Sequence, residues 1–330
     1  MNILMSEQAI ALHRSDIEQL TPVNWINLGS KQSAQGTYAT DVAFITRDVT
    51  GLSTKTHILP DLQRYYDILR ASPKLAWIQA HSAGADRPIF AEMLARGVRV
   101  TTASGANANP VAHTAVAAVL ALGRKFHVQT LAQQSRIWKQ MMDDPALVDL
   151  TGQTAMVVGL GSIGTQIAKF LSALGLRVIA VSHDAAKHQA LLDVACEAIF
   201  DYSNFKAQVP KADYLVLACP LTPTTKNLVN ADLLGMMKPS AYFVNVGRGE
   251  SVVERDLITA LRNKTIAGAF LDGFEIEPLP TESPLWAMPN VIFSSHTAGH
   301  FAGHNQNVFT IFLKNLERYL RGEPLLNEVN

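Results

Sequence analysis

The sequence predicts an α/β protein built from two doubly wound parallel sheets. The first observation is an alternation of short β-rich runs with helical patterns, which fills the first hundred residues and restarts more clearly at Thr154. The second is length, because 330 residues exceed the usual size of a single hydrophobic core. The third is a glycine-rich turn, 159–164, that joins a β-rich run to an amphipathic helical pattern. Together these features favour two α/β domains in series.

The elements of the first domain follow from its apolar runs and its helix boundaries. We predict strands at 41–46, 75–79 and 98–102, and helices near 61–70 and from Pro88. Proline in the first turn of the second helix and Gly97 just past its end are typical boundaries. The turn-rich segment 104–110 then precedes a long Ala-rich helix, and we expect the chain to leave the first domain there.

The second domain repeats the alternation with clearer strands. They are predicted near 154–159, 177–182, 214–219, 241–246, 267–272 and 291–295, and six strands make a full doubly wound sheet. The last helix, about 305–320, follows glycine breaks after the sixth strand. We expect this helix to pack back on the first domain.

Composition argues against several functional classes. The 28 basic side chains equal the 28 acidic ones, so no overall field would attract nucleic acid or an acidic membrane surface. Cys196 and Cys219 match neither a disulfide framework nor a zinc site, and we expect both to be buried in a protein of a reducing compartment. The N-terminus has no secretory pattern, and the low-polarity stretch 111–123 is too short to cross a bilayer. We therefore expect a cytoplasmic protein without metal, nucleic-acid or membrane partners.

The glycine turn has the spacing of a dinucleotide-binding site. Gly159 would permit a tight turn, Gly161 would let the backbone approach a pyrophosphate, and Gly164 would permit close packing of the helix on the strand. The N–H groups at the start of the helix would face the phosphates. The apolar face of that helix is predicted to carry Ile167, Leu171 and Leu174.

The end of the next strand bears on the choice between NADP and NAD. An acidic residue there normally binds the ribose hydroxyls of NAD, but this position is Ser182. Serine does not repel a 2′-phosphate, and possible cationic partners lie nearby at His183, Lys187 and His188. The sequence thus favours NADP, whereas Asp184 keeps NAD open.

An arginine, a carboxylate and a histidine follow three other strands of the second domain. Open α/β sheets bind ligands at the carboxyl ends of their strands, where Arg248, the Glu275 and Glu277 pair, and His296 would lie. A guanidinium can bind a carboxylate in a bidentate manner, which suits Arg248. Imidazole titrates near neutrality and can exchange a proton with a reacting oxygen, which suits His296. Glu277 would fix its tautomer and raise its pKa. The pattern predicts hydride transfer between a nicotinamide and a small 2-keto or 2-hydroxy acid.

The chain resembles the D-isomer-specific 2-hydroxyacid dehydrogenase family. The matching segments are VGLGSIG (158–164), CPLTPTT (219–225), NVGRG (245–249), LDGFEIEPLP (271–280) and SHTAG (295–299). The resemblance implies that Arg248, Glu277 and His296 are catalytic, and that Ala83 and Gly84 offer backbone N–H groups to the substrate carboxylate, alongside Arg248 and His296. It implies that Asp272 helps hold the nicotinamide amide. The implied cofactor positions are Gly159, Gly161, Ser162, Ile163, Gly164, Ser182, His183, Cys219, Pro220, Thr225, Val246, Gly247, Asp272, His296 and Gly299.

The resemblance also implies a split architecture. A substrate domain would comprise 1–103 and 297–330, and a Rossmann nucleotide domain, 104–296, would be inserted between the two parts, with catalysis in a closing cleft. A homodimer through the nucleotide domain is implied, and the Ala-rich helix after Pro110 is either its interface or an ordinary buried helix. Three positions depart from the family pattern: His113, Ser182 and Gly273.

Three other functions are less consistent with the sequence. A dinucleotide-sensing corepressor would keep the fold and the three catalytic residues, although neutral charge and the absence of a long disordered tail disfavour it. Formate dehydrogenases pair the histidine with glutamine, which Glu277 disfavours. A phosphoglycerate dehydrogenase with a regulatory module is disfavoured because the chain ends soon after its last helix. Glyoxylate, hydroxypyruvate, pyruvate and branched keto acids all stay open as substrates.

Overall fold

A computed structural model describes residues 1–53, 57–141, 144, 147–192 and 194–329. Its contacts divide the chain into two units, Met1–Asn107 with Phe301–Asn330 as unit 1 and Ala108–His300 as unit 2. Unit 2 thus lies between two segments of unit 1 along the chain. Each boundary falls four residues after the one expected from the sequence.

Unit 1 contains one parallel five-stranded sheet. Its elements are β1 (Asn2–Leu4), α1 (Glu7–Glu18), β2 (Asn24–Ile26), β3 (Val42–Ile45), α2 (Arg47–Thr50), α3 (Pro60–Arg70), β4 (Trp77–Ala80), α4 (Pro88–Ala95), β5 (Arg99–Thr101) and α11 (His304–Leu320). The strand order β2-β1-β3-β4-β5 is that of flavodoxin-like folds. The predicted strands and helices of this domain are present, and Gly97 follows α4 with a φ of +80°. β1, α1 and β2 were not predicted from the sequence.

The C-terminal helix belongs to the core of unit 1. Phe312 of α11 is fully buried and stacks on Phe44 of β3 and Trp77 of β4, with ring centroids 4.6 Å and 5.4 Å away. The buried Asn315 donates through Nδ2 to Oε1 of Gln79 at 3.1 Å. The predicted packing of the last helix on the first domain is therefore confirmed.

Unit 2 contains a parallel seven-stranded sheet. Its elements are α5 (Ala108–Gly123), α6 (Phe126–Gln134), β6 (Thr154–Val158), α7 (Ser162–Ala173), β7 (Arg177–Ser182), β8 (Ala198–Asp201), α8 (Phe205–Gln208), β9 (Tyr214–Leu217), α9 (Ala231–Met236), β10 (Tyr242–Asn245), α10 (Glu254–Arg262), β11 (Gly268–Leu271) and β12 (Val291–Phe293), with short 3₁₀ turns between some of them. The strand order is β12-β11-β10-β9-β6-β7-β8. The six predicted strands are all present, and β8 is a seventh at the edge. The predicted fold class, α/β with two doubly wound parallel sheets, is confirmed.

The helix after the glycine turn differs from its prediction in one residue. Ile167 and Leu171 of α7 are fully buried against the sheet, as expected. The prediction for Leu174 was wrong, because this side chain is 43% exposed. The helix ends at Ala173, and Gly175, with a φ of +85°, turns the chain away before Leu174 can reach the buried face.

The two cysteines can also be compared with their prediction. Cys196 and Cys219 are free and buried, as predicted. Among the described residues, no helix combines the length and the apolar character that crossing a membrane requires.

Candidate active site

The glycine turn lies where the strand order of unit 2 reverses. Gly159 follows β6 and packs against Cys219, which follows β9, the neighbour of β6 on the other side of the reversal. A Cβ at Gly159 would lie 2.7 Å from the Cα of Cys219, and the φ of Gly159 is +97°. Both facts restrict this position to glycine. Doubly wound sheets bind their ligands at such a reversal.

The rest of the turn has the shape that a pyrophosphate requires. A Cβ at Gly164 would collide with the carbonyl oxygen of Gly159, so the helix can approach the strand only with glycine there. At Gly161 a Cβ would meet nothing within 4 Å, which leaves open space beside the backbone. No side chain caps the N-terminus of α7. Its first N–H groups are thus available to an anion, and the residues fit a dinucleotide.

The residues that bear on the adenosine ribose follow β7. Ser182 is buried, and its hydroxyl donates to the Asp184 carbonyl and accepts from the Asp184 N–H, both at 3.3 Å. The Asp184 carboxylate accepts from the backbone N–H of Lys187 at 3.3 Å and pairs with its ammonium at 3.4 Å. His183 is exposed. The Asp184 carboxylate is therefore paired with Lys187 of the same loop.

The other implied cofactor positions lie at the same sheet edge. After β9, the buried Thr225 donates to the carbonyl of the exposed Pro220 at 2.6 Å, which closes the loop that begins at Cys219. Val246 is buried and Gly247 half-buried, just after β10. The remaining three are the exposed Ser162, the half-buried Ile163 and the half-buried Gly299.

Arg248 is carried by a turn that glycines allow to fit between two strand ends. A Cβ at Gly247 would lie 2.9 Å from the carbonyl oxygen of Cys219. A Cβ at Gly249 would collide with the backbone of Phe274. Arg248 therefore sits on a turn that has little freedom to move. The side chain of Asn245 spans this turn, a role that the sequence reading missed.

His296 and Glu277 form a hydrogen-bonded pair. Nδ1 of His296 lies 2.8 Å from Oε2 and 3.0 Å from Oε1 of Glu277. Because a carboxylate only accepts, Nδ1 carries the proton and Nε2 is the atom left to exchange one. Oε1 of Glu277 also accepts from the N–H of Phe274 at 3.0 Å. The pair is half-exposed, with the histidine side chain 49% and the glutamate side chain 35% accessible.

The surroundings of His296 favour its protonated form. The hydrogen bond to Glu277 is the largest influence and raises the pKa of His296, whereas burial lowers it. The charges of Glu277 and Asp272 raise this pKa further, and the charge of Arg248 lowers it. The net effect is a pKa above the ordinary value of 6.5. The site thus stabilises the imidazolium relative to the neutral ring.

Asp272 braces the loop that contains His296. Its Oδ1 accepts from the Ser294 hydroxyl at 2.6 Å and from the N–H groups of Thr297 and Ala298 at 2.9 Å and 3.0 Å. Its backbone carbonyl accepts from the N–H of His296 at 2.9 Å. These bonds hold His296 at a φ of +55°, a left-handed conformation that is uncommon outside glycine. Among the described residues, Oδ2 of Asp272 has no hydrogen-bond partner.

Gly273 lies between the arginine turn and the glutamate. A Cβ there would be 3.4 Å from Oε1 of Glu277 and 3.4 Å from the Gly249 N–H nitrogen. One methyl group would therefore contact both partners, which shows how close the Arg248 turn is to the Glu277–His296 pair. No group of three or more His, Cys, Asp or Glu residues in the described part of the chain could hold a metal ion.

Ala83 and Gly84 lie in unit 1, in the turn after β4. The Ser82 hydroxyl donates to the Gly84 carbonyl at 2.7 Å and shapes this turn. Within the described residues, neither Ala83 nor Gly84 donates its N–H to an acceptor. Two adjacent N–H donors are thus available at the carboxyl edge of the unit 1 sheet.

A comparison with protein families identifies the chain. Residues 116–298, more than half of its length, match the model of the D-isomer specific 2-hydroxyacid dehydrogenase NAD binding domain. The chain belongs to this family. It is 31% identical over 259 residues to a glyoxylate reductase of Thermofilum pendens, covering 78% of this chain and 75% of that protein. It is 31% identical over 264 residues to a glyoxylate/hydroxypyruvate reductase of Arabidopsis thaliana, covering 80% of this chain and 79% of that protein.

Solved structures share the complete fold of this 2-hydroxyacid dehydrogenase. The D-isomer specific 2-hydroxyacid dehydrogenase of Xanthobacter autotrophicus Py2, in complex with NADPH and MES, superposes with a TM-score of 0.78 at 24% identity, over 100% of this chain and 98% of that one. The family resemblance inferred from the sequence motifs is confirmed. The chain is an enzyme of the D-2-hydroxyacid dehydrogenase class with an NAD(P)-binding Rossmann domain.

Proposed function

We propose that this dehydrogenase transfers a hydride between NADP(H) and a small 2-keto or 2-hydroxy acid, with Arg248, Glu277 and His296 as its catalytic residues. The observation that carries the proposal is the 2.8 Å pair of His296 and Glu277 beside the Arg248 turn, at the carboxyl edge of the Rossmann sheet. In this arrangement a cation can bind the carboxylate of a small substrate while a proton donor faces its carbonyl. Carboxylate and carbonyl are adjacent in a 2-keto acid, as this chemistry requires.

The roles follow from charge. Arg248 binds the substrate carboxylate and polarises the neighbouring carbonyl. A bound reduced nicotinamide supplies the hydride to the carbonyl carbon. Nε2 of His296 donates its proton to the carbonyl oxygen, and Glu277 stabilises the imidazolium before the transfer and holds the ring afterwards. In the oxidation of a 2-hydroxy acid the same nitrogen takes the proton back.

We propose NADP as the preferred cofactor. The hydroxyl of Ser182 carries no charge that would repel a 2′-phosphate, and the charge of Asp184 is offset by Lys187. The structural relative from Xanthobacter autotrophicus Py2 is in complex with NADPH. Gly159, Gly161 and Gly164 would hold the pyrophosphate at the start of α7, and Oδ2 of Asp272 could accept from the nicotinamide amide.

Unit 1 is proposed to be the substrate domain. The two N–H groups at Ala83 and Gly84 suit a carboxylate. The names of the relatives, glyoxylate reductase and glyoxylate/hydroxypyruvate reductase, favour substrates of that size. Unit 2 is then the nucleotide domain.

A homodimer through unit 2 is proposed as well. Large apolar side chains after α5 are exposed in the single chain: Phe126 at 60%, Ile137 at 61% and Trp138 at 91%. Exposed large apolar side chains of this kind favour a protein interface. Sedimentation of the wild type and of Trp138→Ser tests the proposal, with a dimer expected for the first and a weakened dimer for the second. A wild-type monomer would contradict it.

A screen of keto acids tests the activity. The purified chain is mixed with glyoxylate, hydroxypyruvate, pyruvate or a branched keto acid and with NADPH or NADH, and the loss of cofactor absorbance is followed. We expect turnover with at least one small acid and a higher kcat/KM with NADPH. The alternative, a dinucleotide-sensing corepressor, predicts cofactor binding without turnover of any acid. A strong preference for NADH would overturn only the cofactor assignment.

A further inference from the structure

Asn245, at the end of β10, is a fully buried polar side chain outside the proposed catalytic trio. Its Oδ1 accepts from the Gly247 N–H at 3.0 Å, and its Nδ2 donates to the Arg248 carbonyl at 3.1 Å. Both ends of the amide are therefore used on the turn that carries Arg248. A single side chain fixes the backbone on both sides of the peptide bond between these two residues.

The turn that carries Arg248 makes one other hydrogen bond to these groups, because the Arg248 carbonyl also accepts from the Ser251 N–H at 3.2 Å. Gly247 packs against the Cys219 carbonyl and Gly249 against the Phe274 backbone, so the turn cannot shift freely toward new partners. A buried N–H or carbonyl without a partner is costly. The Gly247 N–H needs an acceptor, and the Arg248 carbonyl needs a donor. A side-chain amide supplies both, whereas a carboxylate supplies only acceptors.

Asn245 also connects the arginine turn to the histidine loop. Its backbone carbonyl accepts from the Asp272 N–H at 2.9 Å, and the Asp272 carbonyl accepts from the His296 N–H at 2.9 Å. These are bonds between neighbouring strand ends in one sheet. The turn that carries Arg248 is thus hydrogen-bonded to the same sheet edge that holds His296.

We propose that Asn245 is a positioning residue, which holds the Arg248 turn so that the guanidinium meets the substrate carboxylate. This inference rests on the proposed function, in which Arg248 binds that carboxylate. Asn245 touches neither substrate nor cofactor in this role and acts through Arg248 alone. Its replacement should therefore matter only when the arginine is present.

A double-mutant cycle tests this dependence. Steady-state kinetics with the best keto acid are measured for the full chain, for Asn245→Asp, for Arg248→Ala and for the double variant. Aspartate has the shape of asparagine but lacks the donor to the Arg248 carbonyl. We expect Asn245→Asp alone to lower kcat/KM by about 10- to 100-fold, mainly through the KM of the keto acid. In the Arg248→Ala background, Asn245→Asp should lower kcat/KM by less than about 3-fold.

Controls separate positioning from folding. NADPH affinity, measured by fluorescence titration, should stay within about 2-fold in Asn245→Asp, because aspartate still accepts from the Gly247 N–H and the 159–164 glycine turn is untouched. Asn263→Asp makes the same chemical change at an exposed position and should leave the kinetics unchanged. If Asn245→Asp does not fold, Asn245→Ala replaces it in the same cycle.

The outcomes are distinct. Equal losses from Asn245→Asp in both backgrounds would overturn the inference, and so would the failure of both Asn245 variants to fold. Either result leaves the proposed function intact if Arg248→Ala is itself strongly impaired. An Arg248→Ala variant with near-normal kcat/KM would overturn the proposed function and this inference with it.

Discussion

The Arg248 turn and the His296 loop follow different strands of one sheet and are braced by different chemistry. The arginine turn is held by a neutral amide, Asn245, which both donates and accepts. The histidine loop is held by a carboxylate, Asp272, whose Oδ1 accepts three hydrogen bonds. Both braces are almost completely buried and both stand at a strand end.

The difference matches what each group must do. A guanidinium is charged at every relevant pH, so its brace has only to fix geometry. An imidazole must be kept protonated, and the negative charge of Asp272 adds to that of Glu277 in raising the pKa of His296. The sheet edge thus uses a neutral brace where only position matters and a charged one where protonation matters as well.

The histidine loop should show the largest single effect. We expect His296→Ala to lower kcat for keto-acid reduction by about 10²- to 10⁴-fold, because the proton donor is lost. NADPH affinity, measured by fluorescence titration, should change little. Turnover within about 3-fold of the wild type would show that His296 is not the proton donor, and the histidine loop would then have no catalytic role to compare with the arginine turn.

Gly249→Ala should disturb the arginine turn and the glutamate together. The new methyl group would collide with the Phe274 backbone, whose N–H donates to Glu277. Displacing both by a fraction of an ångström to one ångström should lower kcat/KM by about 10²-fold. Gly235→Ala is the matched control, since a Cβ there meets nothing within 4 Å. Equal kinetics for the two variants would show that the tight fit does not matter.

Glu277→Gln should move the pH profile. The carboxylate raises the pKa of His296, so its neutralisation lowers that pKa. Reduction uses the protonated ring, and its kcat/KM is therefore retained at low pH and lost as the pH rises through the pKa. We expect this loss to occur at lower pH in the variant, so that kcat/KM falls furthest below the wild type on the alkaline side of the profile. An unchanged pH profile of kcat/KM would show that Glu277 does not raise the pKa of the proton donor.

Ser294→Ala should have the smallest effect and should be confined to the histidine side. It removes one of the three donors to Asp272, at a cost of about 1 kcal/mol. We expect about a 5-fold lower kcat/KM, a slightly lower Tm and unchanged affinity for an unreactive carboxylate inhibitor. The exposed neighbour variant Ser295→Ala should behave as wild type. Weaker inhibitor binding in Ser294→Ala would mean that the two braces are not independent.

Much of unit 2 was predictable because its strands are long apolar runs and its glycine spacing is specific. The edge strand β8 was missed because its residues are half-buried or exposed and show no clear pattern. In unit 1, β1 and β2 are only three residues each, too short for a periodic signal. Leu174 was misassigned because helical spacing does not show where a helix ends.

The site could be predicted only in part, for a similar reason. Arg248, Glu277 and His296 are conspicuous as charged or titratable residues after strands. Asn245 is not conspicuous, because it is the last residue of an apolar strand. Its amide finds its hydrogen-bond partners only when the turn folds back on it. A polar side chain ending an otherwise apolar run, just before two glycines, is the signal that could have found it.

The place of α11 has a consequence for how the protein is made. Phe312 completes a stack whose other members, Phe44 and Trp77, leave the ribosome long before it. Unit 2 is continuous in the chain and can finish folding while the nascent polypeptide is still attached. Because unit 1 lies on both sides of unit 2 along the chain, the aromatic face formed by Phe44 and Trp77 stays uncovered until α11 has been synthesised.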